Sequence, residues 1–232
     1  AYTDFLNENG LAGELEAEGD LVKVDLIGKS AHGASPQSGV NAGTFLALFL
    51  DRYPFGGGAK SFLHTAATYV HVDHYGEKLG VAHTDPRMGQ LTMNAGLLKF
   101  GEDFEDNYIT LNFRYPTGVT ADGLVEKITE IVGADGAKVD REERDSAPHY
   151  VPMEDPLVET LLAVYEDHTG EKGYEQVIGG GTFGRLLERG VAYGAMFPGY
   201  TDTMHQANEF MSLDDLFNAA VIYADAIYRL AR

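Results

Sequence analysis

The pattern of this sequence changes once, and that change constrains the fold more than any other feature. Leu21 to Ile27 alternates apolar and polar residues (L-V-K-V-D-L-I), the period of a half-buried strand, and Gly28 ends it. A loop of small residues follows, then a helix predicted from about Val40 to Tyr53, broken by Phe55 and Gly56 to Gly58. Ser61 to His71 reads as a second helix and Gly76 to Gly89 as loop. Gln90 to Phe100 and Asn107 to Tyr115 read as strands joined by a G-E-D turn, which predicts an antiparallel pair. Ala121 to Val132 reads as a helix and Ala137 to Asp145 as a highly charged strand. This order matches the split βαβ pattern of a ferredoxin-like α+β layer.

After Ser146 to Pro156 the pattern becomes strict alternation. It runs helix (Leu157 to His168), strand (Glu175 to Gly179), helix (Thr182 to Arg189), strand (Val191 to Phe197), loop and helix. Alternation of this kind belongs to a parallel α/β sheet. Two parallel strands cannot form a sheet buried on both faces, so this region reads as the tail of a larger α/β domain. The last helix starts at Ser212 as N-cap, with Asp214 and Asp215 at the positive helix end. Leu213, Leu216, Phe217, Ala220, Val221, Ala224, Ile227 and Tyr228 form the apolar stripe predicted to face the core. The opening A-Y-T-D-F-L reads as the inside of a helical segment, so an upstream part is expected.

Composition excludes several classes of function. A net charge of −19 speaks against a nucleic-acid binder and against docking on anionic membranes. The absence of cysteine removes disulfide scaffolds, thiolate zinc sites and cysteine nucleophiles, and suits a cytoplasmic location. No apolar run approaches the ~18 residues of a membrane span. No G-x-S-x-G elbow supports a serine triad.

Several polar residues are candidates for chemistry. His205 sits in the loop G-Y-T-D-T-M-H-Q-A-N-E, with Asp202 and Glu209 near enough in sequence to orient its ring. A hydrogen-bonded loop histidine with no ligand is the plainer reading of that residue alone. Gly179, Gly180, Gly181 and Thr182 form a turn at the end of a predicted strand, where ligands bind in open α/β sheets, or a tight turn and nothing more. His32 lies among small residues (S-A-H-G-A-S-P) and could reach outward. Arg114, in N-F-R-Y-P near a strand end, could take a carboxylate bidentately or form a strand-end salt bridge. His71-Val72-Asp73-His74 has metal-like spacing but closes a helix, and reads as a surface cluster.

Five segments occur together in one order: G-K-S-A-H-G-A-S-P-Q-S-G-V-N-A, L-T-M-N-A-G, N-F-R-Y-P, I-G-G-G-T and M-F-P-G-Y-T-D-T-M-H-Q-A-N-E. In this the chain resembles the co-catalytic zinc metallopeptidases that include aminoacylase, acetylornithine deacetylase and glutamate carboxypeptidase, and within them the bacterial PepV-type dipeptidases. The resemblance implies a ferredoxin-like (βαββαβ) lid at residues 1–150 and the C-terminal part of an aminopeptidase-like α/β catalytic domain at 151–232. It implies His205 as a metal ligand and His32 as the lid histidine that stabilises the tetrahedral oxyanion. Arg114 would hold the carboxylate of a dipeptide substrate, and the Gly179 to Thr182 turn would contact that substrate through its backbone. The family's H-x-D ligand pair, bridging aspartate and Glu-Glu pair are not found, and His71-Val72-Asp73 lies in the lid portion. The chain is therefore expected to be the C-terminal half of a zinc dipeptidase, inactive alone, with two zinc ions in the full-length parent and weak or no zinc binding here. The alternatives are an amidohydrolase that deacylates N-acyl amino acids, and a non-catalytic binding or oligomerisation module that self-associates through the lid.

Overall fold

The computed structural model describes residues 1–101, 107–142, 145–194, 196–201, 203 and 207–232. The chain separates into two compact units, Ala1–Pro148 and His149–Arg232. No helix among the described residues is long and apolar enough to cross a membrane.

The first unit begins with helix α1 (Tyr2–Asn9) and the hairpin β1 (Ala12–Glu18) and β2 (Leu21–Ile27), antiparallel with Glu18 opposite Leu21. The two-residue connection carries Gly19 at φ +61°, the first-position glycine that a type II′ hairpin turn requires. β1 is an element that the sequence reading missed, although Leu15 and Ala17 alternate there with Glu14, Glu16 and Glu18. α1 packs closely on the hairpin: the Tyr2 hydroxyl donates to the Asp25 carbonyl at 2.6 Å, over Gly13, where a Cβ would lie only 2.8 Å from that hydroxyl. Tyr2, Phe5, Leu6 and Phe49 form the buried core of this part, with Val24 and Leu26 against it.

Helix α2 (Ala42–Leu50) is shorter than expected, because the Asn41 side chain accepts the Thr44 N–H and sets its start. Helix α3 (Gly57–Thr65) begins within the glycines predicted to break the chain. It runs into a wide π turn at Ala66–Val70, after which Val72 adopts φ 56°. The predicted loop contains a minimal hairpin, β3 (Thr84–Asp85) and β4 (Gly89–Gln90). Strands β5 (Thr92–Lys99) and β6 (Tyr108–Arg114) pair antiparallel as expected, with Thr92 opposite Arg114 and Asn94 opposite Asn112. Helix α4 (Ala121–Val132) covers one face of that pair, burying Leu124, Ile128 and Val132 against Leu79, Val81, Leu91 and Met93.

A four-stranded ferredoxin-like sheet is not formed among the described residues: three separate two-stranded sheets stand in its place. β2 takes β1 as partner rather than a strand of the other pair. The segment predicted as a strand from Ala137 to Asp145 is not one, among its described residues. Ala137 and Val139 instead pack on the α4 core, and Arg141 is held by the carboxylates of Asp122 and Asp145.

The second unit is built on helices α5 (Pro156–Thr169) and α6 (Leu213–Leu230). Asp155 caps α5, with Pro156 at its first position. Ser212 caps α6 as predicted: its Oγ accepts the Asp215 N–H at 3.0 Å and donates to the Asp215 carboxylate. Leu161 and Val164 meet Ile222 and Ala226 in the core. The buried face of α6 is thus not the predicted stripe. Phe217 is 76% exposed and Ile227 68%, on the side of the helix opposite Ile222. The segments predicted as strands at Glu175 to Gly179 and Val191 to Phe197 form no strand among their described residues. The helix expected from Thr182 to Arg189 is a single 3₁₀ turn, Phe183–Leu186. Gly190 brings the backbone directly against Gly184, and the chain folds back there instead of continuing a helix.

Candidate functional site

The first unit brings the loop that carries His32 against Arg114. Lys29 and Val40 exchange backbone hydrogen bonds of 3.0 and 2.8 Å, which closes the small-residue loop at its base. Inside it, the Ser35 N–H donates to the His32 carbonyl at 2.8 Å, and the Ala34 N–H donates to His32 Nδ1 at 3.3 Å. Since Nδ1 is the acceptor, the neutral ring carries its proton on Nε2. The imidazole is exposed and so presents an N–H donor outward.

Arg114 ends β6, and the loop crosses it at Gly33. A Cβ on Gly33 would sit 3.5 Å from Arg114 Nη2 and 3.8 Å from Asn112 Oδ1. The outward face of the β5–β6 pair thus carries Asn94, Asn112 and Arg114 beside the histidine loop. Asn41 donates to the Ala95 carbonyl at 2.8 Å, pinning the start of α2 to the same strand. A cavity of about 30 Å³ lies here, lined by Pro36, Asn41, Thr44, Asp73 and Asn94 among others. The asparagines were missed by sequence reasoning. Their signal was the two-residue spacing in N-F-R and the matching N in T-M-N, which put all three side chains on one face.

In the cluster read as a surface group, His71 and Asp73 are buried, His74 is half-buried and Val72 is exposed. His71 Nδ1 lies 3.2 Å from Thr44 Oγ1, and its ring meets Phe45 edge-on. Burial, with Lys78 and His74 nearby, lowers its pKa to about 4. Both Asp73 oxygens accept backbone N–H groups, from Glu77 and Lys78, each at 2.9 Å. The carboxylate is committed to a turn and is not available to a metal.

In the second unit Gly179, Gly180 and Gly181 form an exposed turn, with Thr182 half-buried. A Cβ on Gly181 would overlap the Arg185 guanidinium, whereas one on Gly180 would meet nothing within 4 Å. His205 and Asp202 lie outside the described residues. The flanks of their loop are tied together: the Tyr200 hydroxyl donates to the Phe210 carbonyl at 3.0 Å, and Thr203 Oγ1 accepts the Phe210 N–H at 3.2 Å. Glu209 is exposed. Among the described residues no group of three or more His, Asp or Glu side chains could hold a metal ion.

The chain is 45% identical over 234 residues to the Beta-Ala-Xaa dipeptidase of Lactobacillus delbrueckii subsp. lactis, covering 100% of this chain and 49% of that protein. It is 37% identical over 230 residues to a protein of Staphylococcus epidermidis named "Putative dipeptidase", covering 99% of this chain and 48% of that one. A similarly named protein of Staphylococcus haemolyticus is 35% identical over 230 residues, with 99% and 48% covered. The chain thus spans about half the length of the curated relatives it matches. The model of peptidase family M20/M25/M40 matches residues 28–229, which include the His32 loop, the β5–β6 pair and the glycine turn, and the chain belongs to that family.

Proposed function

We propose that this chain is the substrate-gripping half of a zinc-dependent dipeptidase, with the first unit as lid and the second as the C-terminal part of the catalytic domain. The observation that carries this reading is the contact of the His32 loop with Arg114, with Gly33 as the crossing point. The Arg114 guanidinium binds the terminal carboxylate of a dipeptide through its planar fork. His32 donates its Nε2 proton to the oxygen that becomes negative in the tetrahedral intermediate. The Gly179 to Thr182 turn offers backbone N–H groups to the substrate. His205 is the metal ligand assigned to this chain, supported by Asp202 and Glu209, and zinc supplies an activated water when bound. The remaining ligands and the general base belong to a part of the protein outside this chain. That a relative named Beta-Ala-Xaa dipeptidase aligns over the whole chain favours dipeptides over N-acyl amino acids as substrates.

The test uses the full-length protein with zinc. We expect hydrolysis of β-Ala-Xaa dipeptides, lost on chelation and restored by zinc. Arg114→Ala raises KM for free dipeptides and leaves dipeptide amides unaffected. His32→Gln lowers kcat by about 10²–10³ with KM nearly unchanged, the usual cost of removing one oxyanion donor. A wild-type protein that deacylates N-acyl amino acids but leaves dipeptides intact would overturn the reading.

A further inference from the structure

We propose that Arg185 is a specificity-determining residue, binding a second carboxylate, the acidic side chain of a dipeptide, at the glycine turn of the second unit. This rests on the reading that the turn contacts substrate. The guanidinium lies directly against Gly181, with Nε 3.1 Å from where a Cβ would be, so only glycine admits it at that place. Beside it, Gly180 borders open space. Arg185 is exposed and projects from the single 3₁₀ turn that replaces the predicted helix.

Its lack of an anionic partner is the second observation. Arg141, Arg189 and Arg229 are paired with aspartates, and Arg52 and Arg232 lie over aromatic rings. Arg87 and Arg114 are engaged as well. Among the described arginines, the Arg185 side chain stands without ion pair, hydrogen bond or ring contact, its backbone N–H alone donating to the Thr182 carbonyl, and Glu188 three residues on does not pair with it. The chain holds 36 acidic residues against 17 lysines and arginines, so acids to neutralise a spare guanidinium are plentiful. A cation left open on a substrate-facing turn has the chemistry to take a carboxylate bidentately. It also offsets locally the repulsion that a net charge of −19 exerts on a dianionic substrate.

The experiment compares isosteric pairs, Ala-Asp with Ala-Asn and Asp-Ala with Asn-Ala, in the full-length protein. Arg185→Ala and Arg185→Gln should lower kcat/KM for the acidic member of one pair by about 10- to 100-fold, through KM, and leave its neutral member nearly unchanged. Arg185→Lys should keep part of the preference. Equal losses for acidic and neutral substrates, or none, would overturn the proposal while leaving the dipeptidase reading intact. A readout free of turnover separates the two further. In the 232-residue chain, the arginine Nε–H resonance that disappears in Arg185→Ala should shift on titration with Ala-Asp and stay fixed with Ala-Asn. A shift without any hydrolysis by the full-length protein would sink the dipeptidase reading alone; a resonance indifferent to both peptides would sink this one.

Discussion

One backbone contact sets what His32 can do. With the Ala34 N–H on Nδ1, the neutral ring is a donor at its exposed nitrogen and cannot offer a base there without turning. His71 shows the opposite use of the same side chain. It is only 9% exposed, hydrogen-bonded to Thr44, and faced by His74 and Lys78, so its charged form is disfavoured and its pKa falls from 6.5 to about 4. The unfolded chain takes up a proton near pH 6.5 that the folded chain refuses until about 4. Stability that is present above pH 6.5 is therefore lost as the pH falls through that window. The lowered aspartates Asp51, Asp85, Asp155 and Asp225 add their own losses only below the ordinary aspartate value of 3.8. We expect the urea midpoint of the first unit to decline between pH 6.5 and 4, and His71→Gln to flatten that decline. Equal slopes for variant and wild type would show that the buried ring is not responsible.

Helix α6 separates what a pattern specifies from what it leaves open. Its start was legible because Ser212 and Asp215 satisfy each other within one turn, whatever surrounds them. Its buried face was not, because the helix is apolar on two sides and periodicity alone does not say which side meets α5. Tertiary contacts settle it: Tyr223 donates to the Tyr193 carbonyl at 3.0 Å, and His168 and Arg229 converge on Asp225, so the Ile222 face points inward. Ile222→Ala should accordingly destabilise the second unit by about 2–5 kcal/mol, the range for emptying a packed aliphatic site. Phe217→Ala should cost less than about 0.5 kcal/mol in the same urea melts, as a substitution at an exposed position. The reverse ranking would restore the stripe read from sequence as the core face. The same distinction runs through the strands. The β5–β6 pair was legible because its alternation is local; the G-E-D turn read between the strands falls largely outside the described residues. Glu175 to Gly179 and Val191 to Phe197 were misread because a parallel strand needs neighbours that its own sequence does not contain. His32 and Arg114 could be named through the family's motifs, but that Gly33 lies on the guanidinium, with Asn112 beside it, depends on a long-range crossing that no local pattern encodes.

At the scale of the molecule, apolar surface and charge oppose each other. On the hairpin, Leu15 and Val22 share one face and are exposed, Val22 to 60%, and each strand has only the other as partner among the described residues. Unpaired strand edges of this kind recruit other chains unless charges block them. Glu14, Glu16 and Glu18 supply such charges along β1, and the net charge of −19 adds a general repulsion. Both are screened by salt: the Debye length shortens from about 10 Å at 0.1 M to about 3 Å at 1 M. Self-association through the hairpin, one of the alternatives raised from the sequence, would have a defined signature. Sedimentation of the 25.2 kDa chain should show a monomer at low salt and concentration-dependent association as salt is raised. Val22→Lys, which places a cation in the apolar face, should hold the chain monomeric at high salt, whereas Phe217→Lys on α6 should not. A chain that stays monomeric throughout would remove self-association from its properties, and one rescued by the α6 variant instead would move the contact to the second unit.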